Sequence, residues 1–469
     1  MTTGSRGTAV GPDTGRDGAG GVGAGTERGA GGAAGLEAGA VARIQRRTLL
    51  LLCVTQVIGG VGMTMGMSVG VLLAARLGGT AISGLVQSAA VVGGALLAVP
   101  VTRIMRGGGR RPGLVAAYLV GAVGGVLIVV AAATGWVPLL FVGALLFGGG
   151  TTANLQARYT AVDLAEPTRR GRQLSLVVWV TTIGAVTAPN LAAPADDALG
   201  WTGLPPLAGP FVVGVLAFVL AAGVLLVLLR PDPLLTARRL ATASAADPAA
   251  PAGVGLVGPT PAGRGDGLRA AVRLVRARPA VRLGIAAVAV GHLVMVGVMT
   301  MTPVHLGEWH SDADVLRIVG IVLSLHIAGM FAFAPVVGWL TDRIGRRAVI
   351  IGGTGTLLAA CAVAGTAGHD TVRVSIGLAL LGLGWSATMV AGSTLLSESV
   401  PAGVRPAVQG LSDLTMGLAG ALAGALSGFV IQTAGYPVLN LLAAVAVVPL
   451  LALALRTALG PPSARTTTV

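Results

Sequence analysis

Three side chains of proton-carrying type lie inside long apolar runs of this chain. His292 stands about twelve residues into its run and His326 about ten into the next, so at ~1.5 Å of rise per residue both fall near the middle of a membrane-length helix. Asp413, about seven residues into a later run, is the acid embedded in such a run instead of lying at its edge. Intramembrane histidines and acids mark proton relays and ion pathways. Each also has a plainer reading: a hydrogen bond between helices for the histidines, an ion pair with Arg405 or another surface arginine for Asp413. Gln56, Asn154 and Trp385 bring polar groups into other apolar runs, and Met63 and Met299, with Met65 and Met301, offer a soft wall for apolar solutes or plain packing. The stretch from His305 to Asp314 holds His305, Glu308, His310, Asp312 and Asp314, whose spacing fits no standard zinc pattern. Cys53 and Cys361 each lie within an apolar run as buried thiols, so neither a disulfide nor a metal site follows.

What is missing narrows the chemistry. The 32 basic residues are all arginine. Without lysine there is no P-loop for ATP and no Schiff base with pyridoxal phosphate or retinal. Neither a His-Glu-x-x-His pattern nor a convincing nucleophile site is present, and Gly353 and Gly355 open an apolar run instead of following a strand. The sequence therefore predicts a protein that is not an enzyme and holds no cofactor and no metal. Arginine in place of lysine, with heavy use of Ala, Gly and Val, is the composition of a GC-rich bacterial genome.

The elements that must position these residues follow from composition. Of 469 residues 54% are hydrophobic and 11% charged, and mean hydropathy is +0.84. Such a chain belongs in a bilayer. Stretches such as 114–133 are apolar on every face, which excludes the alternation of a β-barrel. Twelve spans are predicted, at 48–74, 81–101, 113–134, 137–157, 174–194, 207–229, 281–303, 316–340, 348–367, 374–397, 407–432 and 436–456. The fold class is thus an all-α membrane protein. Residues 1–42 read as a disordered Gly/Ala-rich tail, 43–229 as a six-helix half, 230–280 as a linker with eight arginines and a short helix near Leu268 to Arg278, 281–456 as a second half, and 457–469 as a tail.

Charge placement orients the chain. One set of span ends carries sixteen arginines: Arg43, Arg46, Arg47, Arg103, Arg106, Arg110, Arg111, Arg158, Arg169, Arg170, Arg172, Arg343, Arg346, Arg347, Arg405 and Arg456. The opposite ends carry three, Arg76, Arg317 and Arg373. Both termini are therefore expected in the cytoplasm of a bacterial inner membrane. Because these arginines bracket spans, the formal charge of +14 does not signal nucleic acid. A shift of 236 residues lays Gln56 on His292 and Met63-Thr64-Met65 on Met299-Thr300-Met301; a shift of 235 lays Asp163 on Glu398 and Arg170 on Arg405. Two six-span halves are thus a parallel repeat able to enclose a midplane cavity. Asp413 falls on Val178 under the same shift, so the scaffold does not require it.

The segment Gly338-Trp-Leu-Thr-Asp342-Arg343-Ile-Gly345-Arg346-Arg347 resembles the signature loop of the major facilitator superfamily, matching it at every fixed position. In physical terms Gly338 allows close helix contact, Gly345 a tight turn, and Asp342 a seat against a helix N-terminus. The equivalent loop of the first half is degenerate, with Thr102 at the acid's position, which would leave the electrostatic latch in the second half. Gly184, Ala188 and Pro189 resemble the superfamily's antiporter motif, Ala188 replacing a glycine, and a packing seam accounts for them equally. The family's fourth-span arginine is missing, for Leu145 and Leu146 stand where it would fall. The resemblance implies a monomeric secondary transporter that moves a small molecule, with protons as coupling ion, and leans toward efflux of an amphipathic or hydrophobic compound over uptake. A membrane receptor or integral enzyme is the remote alternative.

The arginine asymmetry has a direct check. A reporter active only outside the cytoplasm is expected to work when fused after Trp136 or Trp309 and to fail after Arg106 or Arg346; the reverse pattern overturns the orientation.

Overall fold

The computed structural model describes residues 24–166, 169–246, 272–401 and 405–459. Apolar runs in a bilayer have no water for their amide groups, so each satisfies its backbone internally as a helix. The first half consists of α1 (Ala24–Gly78), α2 (Thr80–Gly108), α3 (Arg110–Thr134), α4 (Val137–Thr160), α5 (Arg170–Thr187) and α6 (Gly209–Leu228). The second contains α7 (Pro279–Gly307), α8 (Asp314–Ile344), α9 (Arg346–Gly365) and α10 (Thr371–Ser399). Its last helix, Arg405–Leu459, breaks at Gly435 (φ 80°, ψ 172°), giving α11 (405–434) and α12 (436–459). That left-handed glycine before Tyr436-Pro437 reverses the chain between two crossings. Ten described helices are long and apolar enough to span a membrane. The break at Gly435 makes one of them two, and α5 completes twelve.

Three elements differ from expectation. Residues 24–42, assigned to the tail, continue α1 as helix, since alanine strongly favours helix and the element is already nucleated. The linker contains a helix, Pro233–Ala246, that apolar periodicity did not reveal; helix recurs at 272–277, while 247–271 and residues 1–23 lie outside the described residues. The fifth span tightens into a 3-10 turn at Ala188–Leu191, where Pro189 removes a donor, and resumes as Ala192–Leu199.

Packing relies on small residues. A methyl at Gly184 of α5 would lie 2.8 Å from the Val57 carbonyl of α1, and Gly93 and Gly148 similarly bring α2 against α4 backbone to backbone. Lipid is as apolar as leucine, so close approach and dispersion hold these helices together. Tyr118, Phe147, Phe211 and Phe218 fill the first half, with ring centroids 5.1–5.8 Å apart. In the second half His305 stacks on Tyr436 at 4.1 Å and meets Trp309 edge-on, while Tyr436 shares a hydrogen bond with Thr302.

The halves meet at one end. Gly84 of α2 crosses the Gly424 carbonyl of α11, the Ser88 hydroxyl donates to the Ala421 carbonyl (2.8 Å), and the Ala81 amide donates to Gln432 (3.1 Å). Asn190 donates to Ser324 (2.7 Å), which donates to the Val186 carbonyl (2.6 Å), tying α5 to α8. Among the described residues every hydrogen bond between halves lies at the arginine-poor end. At the other end a cavity of about 1080 Å³ opens beside α1, α5 and the linker helix, lined by Leu50, Cys53, Leu176 and Leu240 among other residues of the first half and the linker.

This geometry predicts a labelling pattern. Cys53 borders the open cavity and Cys361 is buried, so a polar maleimide should modify Cys53 alone. Gly84→Val places methyl groups into the Gly424 backbone, loosens the closed end and shifts the population toward the opposite opening. Cys53 labelling should then slow several-fold; an unchanged rate counts against the two-ended alternation.

Candidate functional site in the cleft between the halves

Two polar groups occupy corresponding places in the halves, one where α1 meets α4 and α5, the other where α7 meets α10 and α11. Gln56 is fully buried and donates to the Thr181 hydroxyl (3.1 Å) and the Asn154 carbonyl (3.5 Å), so it ties α1 to α4 and α5. Thr151 of α4 donates to the Met63 sulfur at 3.3 Å. Opposite, the Trp385 indole donates to Nδ1 of His292 (3.3 Å), and Phe331 meets Trp385 edge-on at 5.8 Å. Met295, Val296, Met299 and Met330 pack around this group. Gly420 of α11 leaves room for the imidazole, since a methyl there would lie 2.8 Å from it. Gln56 and His292, equivalent under the repeat, thus each bond toward the fourth helix of their half.

The predicted site residues separate. His292, Trp385 and Met299 are half-buried and form one aromatic and soft group, while in the first half Met63 is half-buried and Asn154 buried. Met65 and Met301 are wholly buried and belong to the core instead. His326 is sealed between α8 and α10, its Nδ1 2.8 Å from the Leu378 carbonyl, so that nitrogen carries the proton and the ring ties two helices. Asp413 is exposed and has no hydrogen bond or ion pair among the described residues; the Arg405 side chain lies outside them. Seven positions before Gly420 on α11, Asp413 shares its face, about 10 Å along the axis toward the arginine-rich end.

Two matching latches tie loops at that end. Arg346 grips Glu398 through two bonds (2.6 and 3.0 Å), with Asp342 at 3.4 Å. Arg110 grips Asp163 likewise (2.8 and 3.0 Å). Arg110 is one repeat before Arg346, a signal the sequence held in the same 236-residue shift. Gly345 takes φ 94°, the tight turn expected of it, and Arg343 lies over the Trp339 ring at 5.3 Å, while Arg347 is exposed. Two expectations fail. Gly338 faces open space, and the Asp342 side chain is 77% exposed with no seat on a helix N-terminus among the described residues. Among the described residues nothing lies within 4 Å of a methyl built at Gly338, so that face of α8 is open. Gly184, Ala188 and Pro189 form the α1–α5 seam and, through the Pro189 carbonyl beside Gly320, the α5–α8 contact.

In the first half the missing acid has a replacement that sequence reasoning overlooked. Asp232, from the linker, accepts a bond from the Arg111 amide (2.8 Å) at the start of α3 and caps the linker helix through the amides of Leu234 and Leu235. Arg238 of that helix donates to the Arg106 carbonyl (2.8 Å) at the end of α2. A carboxylate thus sits at the loop where Thr102 supplies none, and Thr102 bonds only its own helix. Asp232 lies outside the repeat, so no internal alignment reveals it.

Comparison with known proteins agrees with this architecture. A profile of the Major Facilitator Superfamily matches residues 50–312 and 308–468. The chain is 36% identical over 401 residues to the uncharacterized MFS-type transporter YdeG of Bacillus subtilis (strain 168), spanning 85% of this chain and 89% of that one. It is 26% identical over 416 residues to the riboflavin transporter RfnT of Brucella anthropi, spanning 88% and 95%. Among solved structures it resembles a D-xylose–proton symporter, with TM-score 0.63, 15% identity and coverage of 86% and 96%.

The latches differ in burial, which sets their energetics. Arg110 and Asp163 side chains are 16% and 10% exposed, against 28% and 51% for Arg346 and Glu398. Burial pushes the Asp163 carboxyl above its ordinary value, against the opposing pull of Arg110. Arg110→Gln strands that carboxylate and should destabilise by ~3 kcal/mol, whereas Asp163→Asn removes charge and acceptor together and should cost less. Arg346→Gln, screened by solvent, should lower the thermal midpoint least. Thermal unfolding in detergent checks the order.

Proposed function

The chain belongs to the major facilitator superfamily, and on that premise we propose that it is a monomeric antiporter exporting a small amphipathic or hydrophobic compound in exchange for protons. The arginine-rich end faces the cytoplasm of the bacterial membrane in this reading, so the conformation described is open to the inside. The observation that carries the proposal is the pairing, in one cleft, of an apolar aromatic wall with an acid that has no described partner. Trp385, Phe331, His292 and Met299 suit a flat or greasy solute, and Asp413 is the group able to take up a proton as the solute leaves.

The cycle rests on differential contacts. With the arginine-rich end open, Asp413 gives up its proton to that side and the solute binds. Closure of that end around the solute releases the glycine crossings at the other, and the solute escapes outward. Asp413 then takes up a proton from the outer side, and this neutralisation lowers the cost of closing the cleft for the return, because an uncompensated charge is expensive once water is excluded. His292, hydrogen-bonded to Trp385, is the second candidate for coupling; His326 holds α8 to α10 and serves the path indirectly. Proton-linked uptake would use the same cleft and differs in the sign of the flux.

Proteoliposomes with an imposed pH gradient and a panel of aromatic anions, neutral compounds and cations test both readings. Export requires accumulation against the gradient in the antiport direction; accumulation in the symport direction favours uptake, and no flux of any compound overturns transport of this class. Asp413→Asn should abolish gradient-driven accumulation while leaving downhill exchange measurable. Full accumulation by Asp413→Asn removes the acid from the coupling path.

A further inference from the structure

Arg158 is a cleft cation that neither the latches nor the proposed proton path uses. Thr151, Asn154 and Arg158 recur three and four residues apart on α4 and form one stripe beside α1, where Thr151 meets Met63 and the Asn154 carbonyl meets Gln56. Arg158 stands two positions before the end of α4 at Thr160. An arginine so placed ordinarily extends toward the surface, its charged head in water. This one turns back by a helical turn toward the midplane, Nη2 lying 3.4 Å from the Asn154 side-chain oxygen. Its Nε is buried and has no hydrogen-bond partner. Among the described residues no carboxylate pairs with it, whereas Arg110 and Arg346 are each held by an acid through two bonds. The repeat places Ser393 at the equivalent position, so the scaffold does not demand a cation there.

A half-buried guanidinium turned toward the midplane and lacking a carboxylate partner among the described residues is suited to receive an anion. Its planar fork matches an oxyanion through two parallel bonds, a geometry that a cation or a neutral hydroxyl cannot complete. The cavity at that end has the same net sign, since Arg43, Arg46 and Arg47 border it together with the apolar Leu50, Cys53 and Leu176, while Arg169 there is paired with Glu166 (3.3 Å). Building on the transporter reading, we propose that the substrate is an amphipathic anion, an apolar or aromatic body bearing a carboxylate or similar oxyanion, and that Arg158, oriented by Asn154, binds that group while the body lies toward Trp385 and Phe331.

The test uses 1-naphthoate, 1-naphthalenesulfonate, neutral 1-naphthamide and cationic 1-naphthylmethylammonium as probes of one body with different charge. Equilibrium dialysis against the purified full chain in detergent should show at least one of the anions binding about tenfold tighter than the amide. R158Q should erase that preference while leaving the amide affinity unchanged. Equal affinity for all four probes, preference for the cation, binding of none, or an intact anion preference in R158Q overturns the proposal. Should R158Q fail to fold, the wild-type protein decides: 1-naphthoate or the sulfonate, and not 1-naphthamide, should slow phenylglyoxal modification of the Arg158 peptide read by mass spectrometry, and absence of protection counts as failure. Anion binding at Arg158 without any flux retires the export reading alone; flux of neutral or cationic compounds only retires the anion site alone.

Discussion

Close approach of helix backbones through glycine and alanine is the interaction on which the rest of this molecule depends. Inside a bilayer no hydrophobic gain follows from burying one apolar helix against another, so adhesion comes from dispersion over surfaces that fit. Glycines within the spans supply those surfaces. Within each half they let backbones touch, as at Gly184 against Val57 and Gly93 against Leu145. Between halves the same device appears at Gly84 and Gly424, supported by a handful of hydrogen bonds at one end only. An interface held by backbone crossings and a handful of hydrogen bonds can part and re-form, which is what access alternating between two ends requires.

The arginine-rich end is organised by different physics. There, charged loops are held by bidentate arginine–carboxylate pairs in matching positions of the two halves, Arg110 with Asp163 and Arg346 with Glu398. Their similarity is the imprint of the repeat; their difference in burial assigns them different work. The buried pair braces a half whose signature loop has lost its acid, and the linker contributes Asp232 and Arg238 to the same brace. The more exposed pair belongs to the loop that keeps every signature position, and its Asp342 stands free of helix ends while the halves are apart. A loosely committed acid suits an element that must engage in one state and release in another.

Between these ends the embedded side chains of Gln56, His292 and His326 are each anchored by at least one neighbour, although Oε1 of Gln56 and Nε2 of His326 are buried without a partner among the described residues. Gln56 and His292 are held by partners on adjacent helices, and His326 is sealed by a carbonyl. Asp413 and Arg158 stand apart, having no countercharge among the described residues. In the proposed cycle the acid, on α11, carries the proton and the cation, on α4, holds the solute.

Much of this was legible in the chain itself. Hydropathy and length fix helices able to cross a membrane, arginine placement supplies an expectation for their orientation, and the offset of about 236 residues exposes two halves and even the partners Asp163 and Glu398. These features are legible because the bilayer imposes period, length and charge rules that act on each segment separately. Tertiary structure alone decided which embedded polar residues face the cleft: His326, equal to His292 by depth, turns to a carbonyl of α10, and Met65 and Met301 turn to the core. It alone placed Asp232 at the start of α3, and it alone bent Arg158 inward instead of outward to the surface. Depth along a helix is a property of sequence; azimuth relative to neighbours is set by packing with segments a hundred or more residues away, and no local pattern encodes it.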